Sequence, residues 1–477
     1  MGEMSAEKLI ILHTNDIHSH FERMSGNAAV ISRERKAAGS RSAVLVLDIG
    51  DHMDRAAIET EGTMGQANVD VLNLTGYDAI TIGNNEGLTV PLEALEAAYA
   101  GLHCPVVCCN IKEAVTGRPP AWMREQVILE RAGISIGITA ATAAYDSFYK
   151  LLGWIAEDPE EALKHQVQLL RSQVDVVIVM SHLGITADSL LAEKISGIDL
   201  ILGGHTHHLL EQPLVIADTV VCGAGKFGDY VGKVVFSRGQ DSCLQFDHGE
   251  VIAVPDRELH AEVEGAILQH RDSAAVKLSE AAAVTDQALP LDYGAESPFA
   301  NLLAQAVAHY TNTELAIVNA GQLLGPLPEG EITTGMLHAL CPSPINPCVV
   351  TLKGQHILEA LEQSLLPEFQ ERGIKGYGFR GNVLGVLALS GMVVTCDMRR
   401  PAGSRITEAS VQGEPLEREK EYRVGTLDMF TFKVGYESLS HGKQIEYLLP
   451  EFLRDLLRLE LSRPGALEES FYSRWIT

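Results

Sequence analysis

From residue 9 to about residue 203 the chain alternates short apolar runs with segments of helical spacing. The runs cover residues 9–12, 42–48, 78–82, 134–138, 174–180 and 198–202. The second, Ser-Ala-Val-Leu-Val-Leu-Asp, is apolar without alternation, as in a strand covered on both faces. Between the runs, stretches such as residues 159–173 carry Leu and Val at the spacing of an amphipathic helix. Strand, helix, strand in this order predicts an α/β sheet with helices outside it. Residues 219–235 then read as strand, glycine-rich turn, strand. The turn, Gly223-Ala-Gly-Lys-Phe-Gly228, has the form of a dinucleotide fingerprint. Residues 229–236 after it read as a strand, not as the helix whose N-terminus must receive a pyrophosphate, so no dinucleotide site is predicted.

The pattern changes over residues 256–277, a charged amphipathic helix (Leu259, Val263, Ile267, Leu268) that reads as a connector. Beyond it, Ser297-Pro298 caps an apolar helix over 299–310, and a strand at 314–318 runs into Asn319-Ala-Gly-Gln322. A strand at 348–352 precedes a helix over 354–366, residues 376–381 form a glycine-rich loop with aromatics, and a last helix covers 445–461. The predicted division is a first domain over 1–255, a linker helix over 256–277 and a second domain over 278–477. No repeat of 20–50 residues and no low-complexity tract interrupts it.

Composition narrows the class. Hydrophobic residues make up 46% and charged residues 21% of the 477, an ordinary globular balance with room for two or three domains. With 37 Lys plus Arg against 63 Asp plus Glu, the net charge of −26 argues against non-specific binding to nucleic acid or to an anionic membrane. A phosphorylated small molecule would need local positive charge, such as metal ions. Residues 1–8 lack a secretory pattern, and no run approaches the ~20 apolar residues that span a bilayer. The eight cysteines are scattered, with Cys104, Cys108, Cys109 and Cys222 in strand-like apolar segments. They read as buried thiols of a reducing compartment, so the expected location is the cytoplasm.

The residues just beyond each strand carry the chemistry. The first strand leads to Asp16 and His18, the second to Gly50-Asp51-His52 and the third to Gly83-Asn84-Asn85-Glu86. A later strand runs into Ser181-His182, and another into Gly203-Gly204-His205-Thr206-His207-His208. Open α/β sheets place their sites at these carboxyl ends. Asp16, His18, Asp51, Asn84, His182, His205 and His207 form a set of oxygen and nitrogen donors without thiolate. The set is too large for one tetrahedral ion and suits two divalent ions (Mn, Zn or Fe), with Asp51 the natural bridge. Two such ions can generate hydroxide at neutral pH and clamp an in-line displacement at phosphorus. His13, His20, His52 and His208 have no evident partner and read as satisfied or solvated imidazoles.

These motifs, Asp16-x-His18, Gly50-Asp51, Gly83-Asn84, Ser181-His182 and Gly204-His205-x-His207, resemble the ordered set of the calcineurin-like metallophosphoesterases. More closely, the chain resembles the bacterial 5'-nucleotidase and 2',3'-cyclic-nucleotide phosphodiesterase family. Residues 296–301, 318–321 and 347–354 resemble that family's C-terminal domain. The resemblance implies an α/β chain, α+β overall: a four-layer α/β/β/α sandwich followed by a smaller C-terminal α/β domain that binds substrate. One ion would take Asp16, His18, Asp51 and His207; the other would share Asp51 and take Asn84, His182 and His205. The implied activity is hydrolysis of a small phosphoester, a nucleotide or a related compound, through metal-generated hydroxide.

The chain also departs from this family. Its nucleotidases place a His directly after the metal-binding Asn, near the leaving group, and an Asp three residues beyond that His; here those positions are Asn85 and Leu88. Asn85, the catalytic candidate beside Asp51, can donate a hydrogen bond but cannot deliver a proton, and such help is typically worth ~10²–10⁴-fold. Glu86 and His52 are candidate substitutes. The family's phosphate-gripping Arg after Asn319-Ala-Gly321 is replaced by Gln322. Asn319, the aromatics Tyr377, Phe379, Phe430, Phe432 and Tyr436, and Arg380 are the candidates for holding base and phosphate. The alternative function is a metal-dependent nucleotide-binding or regulatory protein with little turnover. Oligomeric state has no signature in the sequence.

Overall fold

The computed structural model describes residues 7–239 and 243–477. The chain divides into two compact units, Met1–Ala274 and Ala275–Thr477. In the first, two sheets lie face to face. One runs in the order Leu244–Ala253, Tyr230–Arg238, Lys8–Thr14, Ser42–Asp48, Ala79–Ile80, Val106–Val107, Met123–Arg124. The other runs Leu214–Ile216, Thr219–Cys222, Leu200–Gly203, Val176–His182, Ile134–Thr142, Gln126–Arg131.

The side-chain period of two explains the layering. Leu9 and Ile11 of the first strand face inward, packed with Leu45, Ile136, Ile178 and Leu200 of both sheets. Ile10 and Leu12 face outward and pack with Val30, Ile31, Val69 and Leu72 of the helices on that side. On the far side, Val177, Val179 and Ile201 meet Leu163, Val167 and Leu170 of helix Pro159–Arg171. Helix, sheet, sheet, helix is the four-layer order expected. The central strands are apolar on both faces because both faces are covered. The helix Ala261–Lys277 buries Val263 and Ile267 against Ile17, Phe21 and Met24, whereas Leu259 precedes it and Leu268 is half exposed.

The second unit centres on a sheet ordered Leu387–Ser390, Leu315–Asn319, Glu421–Leu427, Pro347–Lys353, Lys443–Tyr447. Helix Pro298–Thr311 buries Phe299, Leu302, Leu303 and Val307 in its core. Ser297 stands at the N-cap position, but its hydroxyl makes no capping bond; Pro298 at the first helical turn sets the entry angle instead. The predicted last helix is shorter than its apolar spacing implies. Residues Lys443–Tyr447 form a strand paired with Pro347–Lys353, and the helix spans Leu453–Leu461. Pro450 explains the break, since a proline in a helix interior removes a hydrogen bond and clashes with the turn before it. No helix among the described residues is long and apolar enough to cross a membrane.

One buried carboxyl in this unit yields a stability prediction. Asp428 Oδ2 accepts from Asn346 N at 3.3 Å, while its Oδ1 is buried without a partner. Burial raises its pKa from 3.8 to about 7. The native state therefore keeps a proton that the unfolded chain releases, and stability falls as pH rises from the unfolded value through the folded one. A tenfold difference in proton affinity between the two states is worth about 1.4 kcal/mol. Asp428→Asn is expected to stabilise this unit by a few kcal/mol at pH 8 and to change little at pH 4, as read from denaturant midpoints at the two pH values.

Candidate metal centre

The predicted ligands gather at one edge of the two-sheet sandwich. Asp16 and His18 follow Lys8–Thr14, Asp51 follows Ser42–Asp48, and Asn84 opens helix Asn84–Thr89 just after Ala79–Ile80. The second sheet supplies His182 at the end of Val176–His182, and His205 and His207 just after Leu200–Gly203. The backbone here is unusual. Asp16, His18, Asp51, His205 and His207 all have φ between +49° and +73°. Left-handed conformations cost non-glycine residues of order 1–3 kcal/mol each and persist only where the surroundings impose them. Hydrogen bonds do so: Asp16 N donates to Gly50 O at 3.0 Å and His18 N to Asp51 O at 2.8 Å. From the second sheet, His205 N donates to both Asp16 carboxylate oxygens at 3.0 Å. Two glycines allow the close approach. A Cβ on Gly83 would lie 2.0 Å from Asp51 Oδ1, and one on Gly50, at φ +86°, 2.4 Å from Gly83 N.

The donor atoms converge in two overlapping groups, Asp16 with His18 and His207, and Asp16 with Asp51 and His182. His18 Nε2 lies 3.1 Å from His207 Nε2, 3.6 Å from Asp51 Oδ2 and 3.9 Å from Asp16 Oδ1. His182 Nε2 lies 3.4 Å from Asp51 Oδ2. Asp16 is thus common to both groups, while Asp51 Oδ2 stands between His18 and His182. His205 falls outside the two tight groups. The His205 ring is 5.3 Å from that of His182, and its Nε2 pairs with the Tyr145 hydroxyl at 3.2 Å.

Divalent cations fit this arrangement. His182 Nδ1 donates to Ile49 O at 2.8 Å, which fixes the tautomer and leaves the Nε2 lone pair turned toward the carboxylates. That Nε2 and Asn84 Oδ1 are both buried without a hydrogen-bond partner. Buried polar atoms are normally satisfied, so an unpaired His182 Nε2 lying 3.4 Å from Asp51 Oδ2 suits a cation shared with that carboxylate.

The titration behaviour agrees. Burial alone would raise the Asp51 carboxyl, but His182 and His18 outweigh it and hold the group below the usual carboxylate range. Burial works to lower His182, yet Asp51 and Asp16 push it up to about 10. The same negative field favours a divalent cation beside His182 Nε2. His205 is lowered to about 4 by burial and by His182, and His207 to about 4 by burial, His18 and Lys226. Both are therefore neutral at pH 7, with lone pairs available.

The candidate substitutes for the absent His are otherwise engaged. The Glu86 carboxylate accepts from Asp51 N (3.0 Å), Met53 N (2.8 Å) and Gly83 N (2.8 Å), a strut tying two strand-end loops together. His52 is buried with its Nδ1 paired to Asn68 Nδ2 at 3.2 Å and its Nε2 unpaired, and burial lowers it to about 3. The site also includes three residues outside the sequence motifs, Asp54, Tyr145 and Asn15. Asn15 grips the glycine-rich turn, donating to Gly225 O (2.7 Å) and accepting from Ala224 N (2.9 Å). In the sequence, Asp54 is one more acidic residue in the Gly50–Asp51 loop, three positions after Asp51.

Among the candidates in the second unit, burial separates two classes. Phe379, Phe430 and Tyr436 lie in the core, and Asn319 is buried, donating to Leu384 O at 2.6 Å and accepting from Gln322 at 2.9 Å. These four hold the loops in place and offer no face to solvent. Tyr377 and Phe432 are 58% and 39% exposed and stack with ring centroids 6.0 Å apart and an interplanar angle of 25°. Arg380 is part-buried, its backbone N donating to Ser343 Oγ at 3.0 Å.

Comparison with known proteins identifies the family. The calcineurin-like phosphoesterase profile matches residues 9–209, and the 5'-nucleotidase C-terminal domain profile matches residues 277–440. The chain is 37% identical to YunD of Bacillus subtilis, described as an uncharacterized metallophosphoesterase, over 96% of its own length and 100% of that protein. It is 25% identical to the trifunctional nucleotide phosphoesterase YfkN of the same organism, over 94% of its own length and 34% of YfkN. Among solved structures, a 5'-nucleotidase precursor of Thermus thermophilus shares the fold, with a TM-score of 0.61 at 23% identity over 98% of this chain and 99% of that one.

Proposed function

We propose, since this chain belongs to the calcineurin-like metallophosphoesterases that carry a 5'-nucleotidase C-terminal domain, that it hydrolyses a nucleotide or nucleotide-like phosphoester with two divalent ions. Metal-dependent phosphoester hydrolysis is the activity of its family; the two ions and the substrate class are our reading. The observation that carries it is the convergence of His18, His182 and His207 on Asp16 and Asp51, with Asn84 Oδ1 and His182 Nε2 buried and unpartnered. Ions held there would supply an attacking hydroxide and neutralise charge on the phosphoryl group. The chain's own residues do the rest. Asp16, Asp51, His18 and His207 would hold one ion, and Asn84, His182 and His205, with Asp51 shared, the other. The stacked pair Tyr377 and Phe432 offers the second unit's exposed π-surface to a planar base. None of the eight cysteines forms a disulfide and six are buried, which supports a reducing compartment such as the cytoplasm.

No proton donor stands at Asn85, so leaving-group chemistry sets the substrate preference. With Mn²⁺ or Zn²⁺ restored, aryl phosphates, phosphoanhydrides and diesters with good leaving groups are expected to be cleaved faster than alkyl monoesters. The gap should approach the ~10²–10⁴-fold that general-acid help is worth. Phosphate release across such a panel, including nucleoside monophosphates, cyclic nucleotides and dinucleotides, tests this. Equal rates on alkyl and aryl esters would show that another group delivers the proton. Silence on every substrate with both ions bound would favour a nucleotide-binding role instead.

A further inference from the structure

The glycine-rich turn over residues 223–228 is built against the metal centre. Gly225 O accepts from Asn15 Nδ2 at 2.7 Å, and Phe227 N donates to Asp16 O at 2.8 Å. Lys226 lies between these two anchors, so its backbone is fixed to the segment that bears Asp16. Phe227 has φ +60°, in the left-handed region, between Gly225 at +76° and Gly228 at +74°. A bulky side chain rarely adopts that conformation, and such strain gathers at functional sites.

The turn sets the Phe227 ring among histidines. Its centroid lies 6.0 Å from that of His18, 6.2 Å from that of His207 and 4.0 Å from that of His20. Lys226 Nζ stands 4.3 Å from the same centroid. The ammonium is thus one aromatic ring away from two candidate metal ligands. Other cations on the neighbouring loops are committed: Arg23 to Asp256 at 2.5 Å and Asp229 at 3.5 Å, and Arg55 to Glu61 at 2.7 Å. Lys226 is exposed and, among the described residues, has no carboxylate partner. An exposed cation–π contact is weak, so the ammonium can leave the ring for a stronger anion. A chain of net charge −26 repels phosphates at long range, and an unpaired cation at the rim of the centre opposes that locally. Gln322 brings no such charge, being buried and bonded to Asn319 at 2.9 Å.

We propose that Lys226 is a specificity-determining residue that grips a second phosphate, adjoining the one the ions would hold, so that substrates with two consecutive phosphates are favoured over those with one. The inference rests on the reading that ions hold a phosphoryl group at this centre. A phosphoryl group where His18 and His207 converge leaves the ammonium one ring further out, placed for a neighbouring phosphate. Lysine suits the task as a point charge on a flexible stem. A phosphate is also the kind of leaving group that needs no proton donor at Asn85, so both features favour the same substrates.

Calorimetric titration of the zinc-loaded full-length chain with inorganic phosphate and with imidodiphosphate, whose bridge resists hydrolysis, tests this. Lys226→Gln should weaken imidodiphosphate binding about tenfold, the lower end for a hydrogen bond to a charged group because the site is exposed, and leave phosphate binding nearly unchanged. Lys226→Arg should keep the preference for imidodiphosphate. Added salt should narrow the wild-type preference toward that of Lys226→Gln. In steady-state kinetics Lys226→Gln should raise the KM for ADP by a similar factor and leave that for 4-nitrophenyl phosphate as it is. Equal weakening of both ligands, wild-type affinity for both, or an unchanged KM for ADP in Lys226→Gln would overturn the inference. Phosphate release by the wild type with an unaltered preference in Lys226→Gln removes this inference alone. A preference that depends on Lys226, without phosphate release from any substrate, removes the hydrolytic reading alone.

Discussion

Asp51→Asn is expected to lower turnover about a thousandfold with both ions in excess. The side chain keeps its shape, and the oxygen that accepts from Asn85 N can stay in place. The change falls on Oδ2, which lies 3.6 Å from His18 Nε2 and 3.4 Å from His182 Nε2. An amide nitrogen there points hydrogens at the space where the ligand atoms converge and removes one of the two carboxylates in the converging groups. Metal-borne charge stabilisation in such reactions is worth several kcal/mol, and each 1.36 kcal/mol is a factor of ten. Without added metal, His182 should also titrate lower in the variant, because Asp51 is the leading influence that raises that imidazole against burial. Steady-state kinetics, metal content and a His182 titration followed by NMR check the three parts. Turnover within tenfold of wild type at full metal content would place the reacting centre elsewhere.

The second large effect is expected from Gly83→Ala, a change of one methyl group. Its Cβ would lie 2.0 Å from Asp51 Oδ1 and 2.5 Å from Asp51 N. Neither neighbour can yield easily, since Asp51 N is bonded to Glu86 and Oδ1 to Asn85 N. The loop must move as a whole. Overpacking of this kind costs typically 1–3 kcal/mol of stability. Displacing a reacting group by about 1 Å can cost a hundredfold in rate, and the ligands from the first sheet would shift together. Turnover should therefore fall by at least two orders of magnitude while the second unit unfolds as in the wild type. A crystal structure of the variant with Asp51 undisplaced and full activity would show that the contact is not limiting.

The layers and the strand-end donors that converge are legible in the sequence for one reason. Strands covered on both faces write continuous apolar runs, and open sheets put their chemistry just after such runs. Asp16, His18, Asp51, His182 and His207 can therefore be picked out from residue order alone. The aromatics of the second unit cannot be sorted in that way. Phe430 lies in the short helix Asp428–Thr431 and Phe432 just after it, and only the fold decides that one is core and the other half exposed. The last helix reads too long because residues 445–447 carry no period that separates strand from helix, whereas Pro450 is the available stop signal. Asp54 gives no signal because its partner, His18 Nδ1 at 3.5 Å, is distant in sequence and the contact depends on left-handed turns at both loops. Asn85 is legible as a missing proton donor, but the 2.9 Å contact of its Nδ2 with His18 Nδ1 is not.

The candidate ligands are split between the two sheets: Asp16, His18, Asp51 and Asn84 come from one, and His182, His205 and His207 from the other. Neither half holds a full coordination set. A nascent chain that has released only its first strands from the ribosome can gather one side of the centre and no more. Tight metal capture therefore waits until the sheets dock, which protects a growing chain from being locked early around the wrong ion. In refolding experiments the moment of zinc uptake would time the docking of the two sheets, with the metal serving as a clock for assembly.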